Sequence, residues 1–305
     1  MNRQPPGIRT DLAVEARQLW KERAQDTSAL PGVRAEERDA GSFHIVTVEV
    51  LDNRGEEALG KPVGRYVTVE LDGFLRREEN AFCDAAALVA EQLREILRPG
   101  LGDGGACLVV GLGNRGITPD AIGPETVDNV LVTRHLKEKL PEEFARFRPV
   151  AAVCSGVLGT TGIESSDFVR AVSQRVSPAA VIAVDALASR EPDRLCRTVQ
   201  LADTGIVPGS GVGNARAALN RETLGIPVIA VGVPTVVDAA TLTLDLASRA
   251  GAELDPRAFG KVGSMIVTPR DIDRNVRDIA RLLGYSINLA LHDGLRLEDV
   301  DMLLS

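Results

Sequence analysis

A chain of 305 residues, 44% of them hydrophobic, is long and apolar enough to bury a large core as one domain or two. A net charge of −8 with no block of lysine or arginine, and only 3% aromatics, excludes nucleic acid as a direct ligand: phosphates need a concentrated cationic face and single strands need stacking rings. No apolar run approaches the roughly 20 residues that span a bilayer, and the first residues lack a signal-peptide core, so the expected place is the cytoplasm, away from membranes.

Residues 1 to about 40 are polar and charged, with Pro5-Pro6 and Pro31-Gly32, and read as an exposed arm. FHIVTVEVL (43–51) and GRYVTVEL (64–71) alternate apolar and polar residues, which predicts an antiparallel strand pair. AFCDAAALVAEQLREIL (81–97) has helical periodicity, and ACLVVGL (106–112) is a continuous apolar run suited to a strand buried on both faces. Strands then alternate with helices: PVAAVC (149–154), a helix near 163–176, AVIAVDAL (180–187), TVQLAD (198–203), IPVIAVGV (226–233), and a helix from about 235. The chain closes on an amphipathic helix after TPRDID. This alternation predicts an α/β fold, a three-layer α/β/α sandwich around a mostly parallel sheet.

Strand ends of an open parallel sheet are where such folds build their sites, and two of them carry an aspartate: Asp120, after CLVVGL, and Asp185, in AVIAVDAL. Two carboxylates brought close do not both ionise readily; one keeps a proton to donate while the other takes one from water. The competing carboxylates are Glu164 and Asp167, three apart on one helix face, and Asp203. GLGNRG (111–116) matches the dinucleotide fingerprint in form, but Pro119 and the turn after it delay the helix, so the loop reads instead as a tight turn exposing Asn114 and Asp120. A second glycine-rich loop, Gly209, Gly211 and Gly213 in GSGVGN, has a backbone able to turn N–H groups toward an anion. His44, His135 and His292 are far apart and no Cys-x-x-Cys or His-Glu-x-x-His occurs, so neither a metal nor another cofactor is expected. The four cysteines lie mostly in apolar runs and read as buried thiols.

Taken in order, IRTDLAVEA, GRYVTVEL, CLVVGLGN with ITPDAIGPETVDNVLVTRHL, GVLGTTGIESSDF, VIAVDALASR, VQLADTGIVPGSGVGNARAALNRETLGIPVIAVGVPTVVDAATLT and MIVTPRDID resemble the germination protease family, spore endopeptidases that degrade small acid-soluble spore proteins. The resemblance implies an aspartic-type peptidase whose two essential aspartates fall on Asp120 and Asp185. It also implies a homotetramer, a fold shared with hydrogenase maturation proteases, and a zymogen that removes its own N-terminal piece. Thr10-Asp11-Leu12-Ala13-Val14-Glu15 fits the family's cleavage sequence, so residues 1–12 are expected to be a propeptide cut between Leu12 and Ala13, and 13–305 a single peptidase domain. Two departures stand out: a short connection before MIVTPRDID, and Cys154 in place of an expected proline. A metal-dependent maturation-type peptidase of the same fold and a non-catalytic nucleotide-binding module are the alternatives.

Overall fold

The computed structural model describes residues 8–24, 30–76, 78–102, 104–252, 254–255 and 265–304. Among them nine strands form one sheet: β1 (Val33–Ala40), β2 (Phe43–Val50), β3 (Gly64–Glu70), β4 (Cys107–Leu112), β5 (Val150–Gly156), β6 (Ala180–Ser189), β7 (Thr198–Ala202), β8 (Val228–Asp238) and β9 (Ile266–Val267). Their order is β1-β2-β3-β7-β8-β6-β4-β5, with β9 alongside β8. The four strands β8, β6, β4 and β5 run parallel, and β1, β2, β3 and β7 form an antiparallel wing joined to them through β7.

Side-chain alternation along β6 sorts the core into layers. Ile182 and Val184 face the helices Ala81–Leu101 and Ile272–Leu291, whereas Val181 and Ala183 face the helix Ser165–Val176 through Val169. Ala81–Leu101 places Ala85, Val89, Leu93, Ile96 and Leu97 on one stripe, at the three- and four-residue spacing of an amphipathic helix, and burial of Leu93 and Leu97 contributes roughly 2 kcal/mol each. The helix Ala13–Ala24 covers the wing on the second face. Helices on both faces of one sheet make the α/β/α sandwich expected from the alternation of elements.

The expected strand pair β2–β3 is present, inside a larger antiparallel unit. TVQLAD forms β7 antiparallel to both neighbours, a direction that an apolar run does not encode. The exposed arm is a correction: Val33–Ala40 pairs with β2 along its whole length, and Leu12 and Ala13 are fully buried. The cysteines are a second correction, since Cys83 and Cys154 are exposed while Cys107 and Cys196 are buried. The short connection before MIVTPRDID includes residues 256–264, which lie outside the described residues.

Candidate active site

From β4 the chain crosses to β5 on one side, and from β6 it moves to β8 on the other, so a crevice opens beyond the carboxyl ends of β4 and β6. Two glycines let the helix Ile122–Val127 close the crevice from below. A Cβ at Gly123 would stand 2.3 Å from the Leu112 carbonyl oxygen and 2.5 Å from that of Val184, and one at Gly111 would stand 2.5 Å from the Gly123 carbonyl oxygen. This close approach brings Asp120, just before the helix, up to β6 and Asp185.

The loop after β4 folds back on itself. The Asp120 N–H donates to the Ile117 carbonyl at 2.8 Å, and Thr235 Oγ1 donates to the Pro119 carbonyl at 2.6 Å. Asp120 Oδ2 then accepts the Asn114 N–H at 2.8 Å. Burial pushes the Asp120 carboxyl up to about 6, against the lowering effect of that hydrogen bond. Asp185 sits on β6 opposite Gly232 of β8, only 5% exposed, with Oδ1 accepting the Ala186 N–H at 2.9 Å. Burial first, and then the charge of Asp120, hold its carboxyl well above the usual range. Both carboxyls are thus biased toward the protonated form, Asp185 more strongly than Asp120.

Both aspartates line one cavity of about 510 Å³, together with Asn114, Glu164, Gly209 and Gly211. Asn114 contributes through its backbone, since its side chain is turned onto the Gly116 N–H. Glu164 precedes the helix Ser165–Val176 and pairs at 3.6 Å with Arg216, another residue of the cavity wall. Asp167 lies outside the cavity, exposed and paired with Arg170, and Asp203 lies outside it too, accepting the Arg65 N–H beside the wing. Within the glycine loop the N–H groups of Ser210, Gly213 and Asn214 donate to the carbonyls of Val207, Ser210 and Gly209 of the same loop. Gly213 instead packs on the Arg9 guanidinium. GLGNRG makes no phosphate cradle at a helix start, because the helix begins only at Ile122.

Sequence reasoning missed the most informative feature of the crevice, which is that the N-terminal segment runs through it. The Asp11 N–H donates to the Ala188 carbonyl at 2.9 Å, the Ala188 N–H donates to Asp11 Oδ2 at 2.9 Å, and the Ser210 hydroxyl donates to Asp11 Oδ1 at 2.7 Å. Gly211 leaves the space for this carboxylate, since a Cβ there would lie 2.0 Å from Asp11 Oδ2. The segment then enters the helix Ala13–Ala24, with the Ala13 N–H on Gln200 Oε1 at 2.7 Å and Glu15 buried against the Arg190 and Glu191 N–H groups. Asp11 therefore lines the same cavity as Asp120 and Asp185. The one sequence signal was the fit of residues 10–15 to a cleavage sequence.

The family model described as germination protease matches residues 13–248. Germination proteases of Caldanaerobacter subterraneus subsp. tengcongensis and Clostridium tetani are 43% and 38% identical, over 98% of this chain and 98% and 99% of theirs. That of Bacillus cytotoxicus is 38% identical over 93% of this chain and 94% of its own. Among solved structures, the NiFe hydrogenase maturation protease HycI of Thermococcus kodakarensis aligns with a TM-score of 0.36 and 15% identity, over 64% of this chain and 98% of that one. With the family model covering most of the chain and relatives of this identity matching it nearly end to end, the chain belongs to the germination protease family and is an endopeptidase of spore germination.

Proposed function

We propose that this endopeptidase cuts small acid-soluble spore proteins with water activated between Asp120 and Asp185, and that it removes its own N-terminal segment beside Leu12. The observation that carries this reading is two buried carboxylates, Asp120 and Asp185, lining one cavity with Asp11, a residue of the segment that fits the family's cleavage sequence. Asp120 takes a proton from water, whose oxygen attacks the peptide carbonyl carbon, and Asp185 gives its proton to the leaving nitrogen. From the family resemblance comes the rest of the assignment: an aspartic-type zymogen, propeptide 1–12, mature domain 13–305, a homotetramer, and a cytoplasmic place in the developing spore.

The resemblance puts the self-cut at Leu12–Ala13. The Leu12 carbonyl, however, accepts the Ala16 N–H as the first bond of a helix, while the Asp11 carbonyl receives Lys61 Nζ at 2.8 Å and Gln200 Nε2 at 3.2 Å. That geometry supports the Asp11–Leu12 bond, so the two candidate sites differ by one residue and by the residue that begins the product.

The test incubates wild type, Asp120→Asn and Asp185→Asn with a small acid-soluble spore protein and sequences every new N-terminus. Wild type is expected to cut at acidic-apolar sequences and to generate a terminus at Leu12 or Ala13. Each variant is expected to slow by roughly 10²–10⁴-fold. Variants that cut at the wild-type rate would overturn the aspartate pair; loss of wild-type activity with a chelator, restored by a divalent ion, would establish the metal-dependent alternative.

A further inference from the structure

Asp11 lies in the wall between two cavities. One, of about 510 Å³, holds Asp120 and Asp185; its neighbour, of about 270 Å³, holds Lys61, Tyr66 and Gln200. The peptide at Asp11 therefore has carboxylates on one side and a cation with an amide on the other. Lys61 Nζ donates to the Asp11 carbonyl at 2.8 Å and reaches that of Thr10 at 3.5 Å. Among the described residues it has no carboxylate within ion-pair distance, and its acceptors are neutral main-chain oxygens. Burial pushes its ammonium down, against the charges of Asp11 and Glu15. A partly desolvated cation facing only carbonyls is costly in the resting state, and it gains most if negative charge develops on one of them.

Gln200 faces the same carbonyl. Its Oε1 is fixed by the Ala13 N–H at 2.7 Å, which leaves Nε2 directed at the Asp11 carbonyl at 3.2 Å. In the glycine loop the amides of Ser210, Gly213 and Asn214 are already used within it.

We propose that Lys61 is a further catalytic residue of this peptidase, its ammonium acting with the Gln200 amide to stabilise the oxyanion that forms on the scissile carbonyl. This rests on the peptidase reading above. Water oxygen bonds to the carbonyl carbon as its proton passes to Asp120, and the carbonyl π pair becomes the oxyanion facing Lys61 and Gln200. Collapse of that oxyanion breaks the C–N bond, the Asp185 proton goes to the leaving nitrogen, and a carboxyl group and an amine result. In cis the carbonyl is that of Asp11; in trans it is the corresponding carbonyl of an extended substrate, lying where the segment now lies.

The test compares full-length wild type, Lys61→Met, Lys61→Arg and Asp120→Asn in self-cleavage, in kcat and KM on a small acid-soluble spore protein, and in melting temperature. Lys61→Met keeps the buried stem and loses the charge; it is expected to lower kcat and the self-cleavage rate by roughly 10²-fold or more, with KM and melting temperature close to wild type. Lys61→Arg is expected to retain a larger share of the rate, and ethylammonium is expected to raise the rate of Lys61→Ala. A Lys61→Met enzyme that cuts at the wild-type rate, or whose loss lies wholly in KM or melting temperature, overturns the proposal and leaves Lys61 only as an anchor for the segment. If Asp120→Asn also cuts normally, the carboxylate reading has failed separately. A wild type that cuts nothing overturns both.

Discussion

The parallel half of the sheet and the antiparallel wing contribute opposite kinds of chemistry to the two cavities on either side of Asp11. The parallel half brings acid: Asp185 from within β6 and Asp120 from the loop after β4, both held up by burial. The wing brings donors: Lys61 just ahead of β3, and Gln200 from the middle of β7. The parallel half offers strand ends and a helix pressed close, where a short carboxylate is readily buried. The wing offers two side chains that hold the Asp11 carbonyl, while Ala188 of β6 takes the Asp11 N–H. The comparison teaches that the buried carboxylates come from the parallel half alone whereas the N-terminal segment is held from both halves, and that this segment is what bridges them.

Four experiments break or sharpen that comparison. The largest effect is expected where the parallel half is pressed tight: Gly123→Ala pushes a methyl against the Leu112 and Val184 carbonyls and is expected to cost about 3 kcal/mol or more, read by denaturant unfolding. Next comes the pH profile. In the proposed mechanism Asp120 acts as a base only when ionised, so kcat is expected to fall roughly tenfold per pH unit below about 6. A profile flat from neutrality to well below 6 would detach Asp120 from proton transfer.

A smaller effect concerns stability. A carboxyl whose folded pKa lies above its unfolded value contributes stability at low pH and loses it as pH rises through the folded pKa, so ionisable aspartates at 120 and 185 weaken the fold at neutral pH. Asp185→Asn is therefore expected to raise the melting temperature at pH 7 by roughly 2 °C or more while destroying activity, with the gain shrinking in acid. A melting temperature that falls instead would mean that the carboxyl makes a contact the amide cannot replace. The smallest effect is at Asp167, whose exposed pairing with Arg170 lies away from the cavity; Asp167→Asn is expected to leave kcat and melting temperature near wild type.

The sequence made the parallel half legible because its signals are local. Continuous apolar runs mark buried strands, and an aspartate at the end of such a run points to the crevice whatever the remaining chain does. The wing was not legible for the converse reason. Lys61 meets Asp11 across 50 residues and Gln200 meets it across 189, and pairings at such separations leave no periodicity in either partner. VRAEERDA hides its strand because it is mostly exposed, with no alternation to betray it. The polar composition of the first 40 residues concealed Leu12, Ala13, Val14 and Ala16, an apolar cluster too small to shift the average yet buried against β2, β3 and β6. Asp203 looked like Asp185 in sequence, an acid at a strand end, but its strand runs antiparallel to β8 and delivers it toward the amino end of β8, away from the crevice.

The tether between the docked segment and the rest of the chain sets a competition that no outside peptide enters on equal terms. Asp11 is joined through one short stretch to a helix fixed on the sheet, so its contacts form intramolecularly, at an effective concentration of order millimolar. A free substrate offering the same backbone and carboxylate contacts must exceed that concentration to displace it. On the proposed self-processing, scission of a single bond ends the competition: Ala13 stays buried on the mature side, and the severed piece becomes one dilute peptide among many.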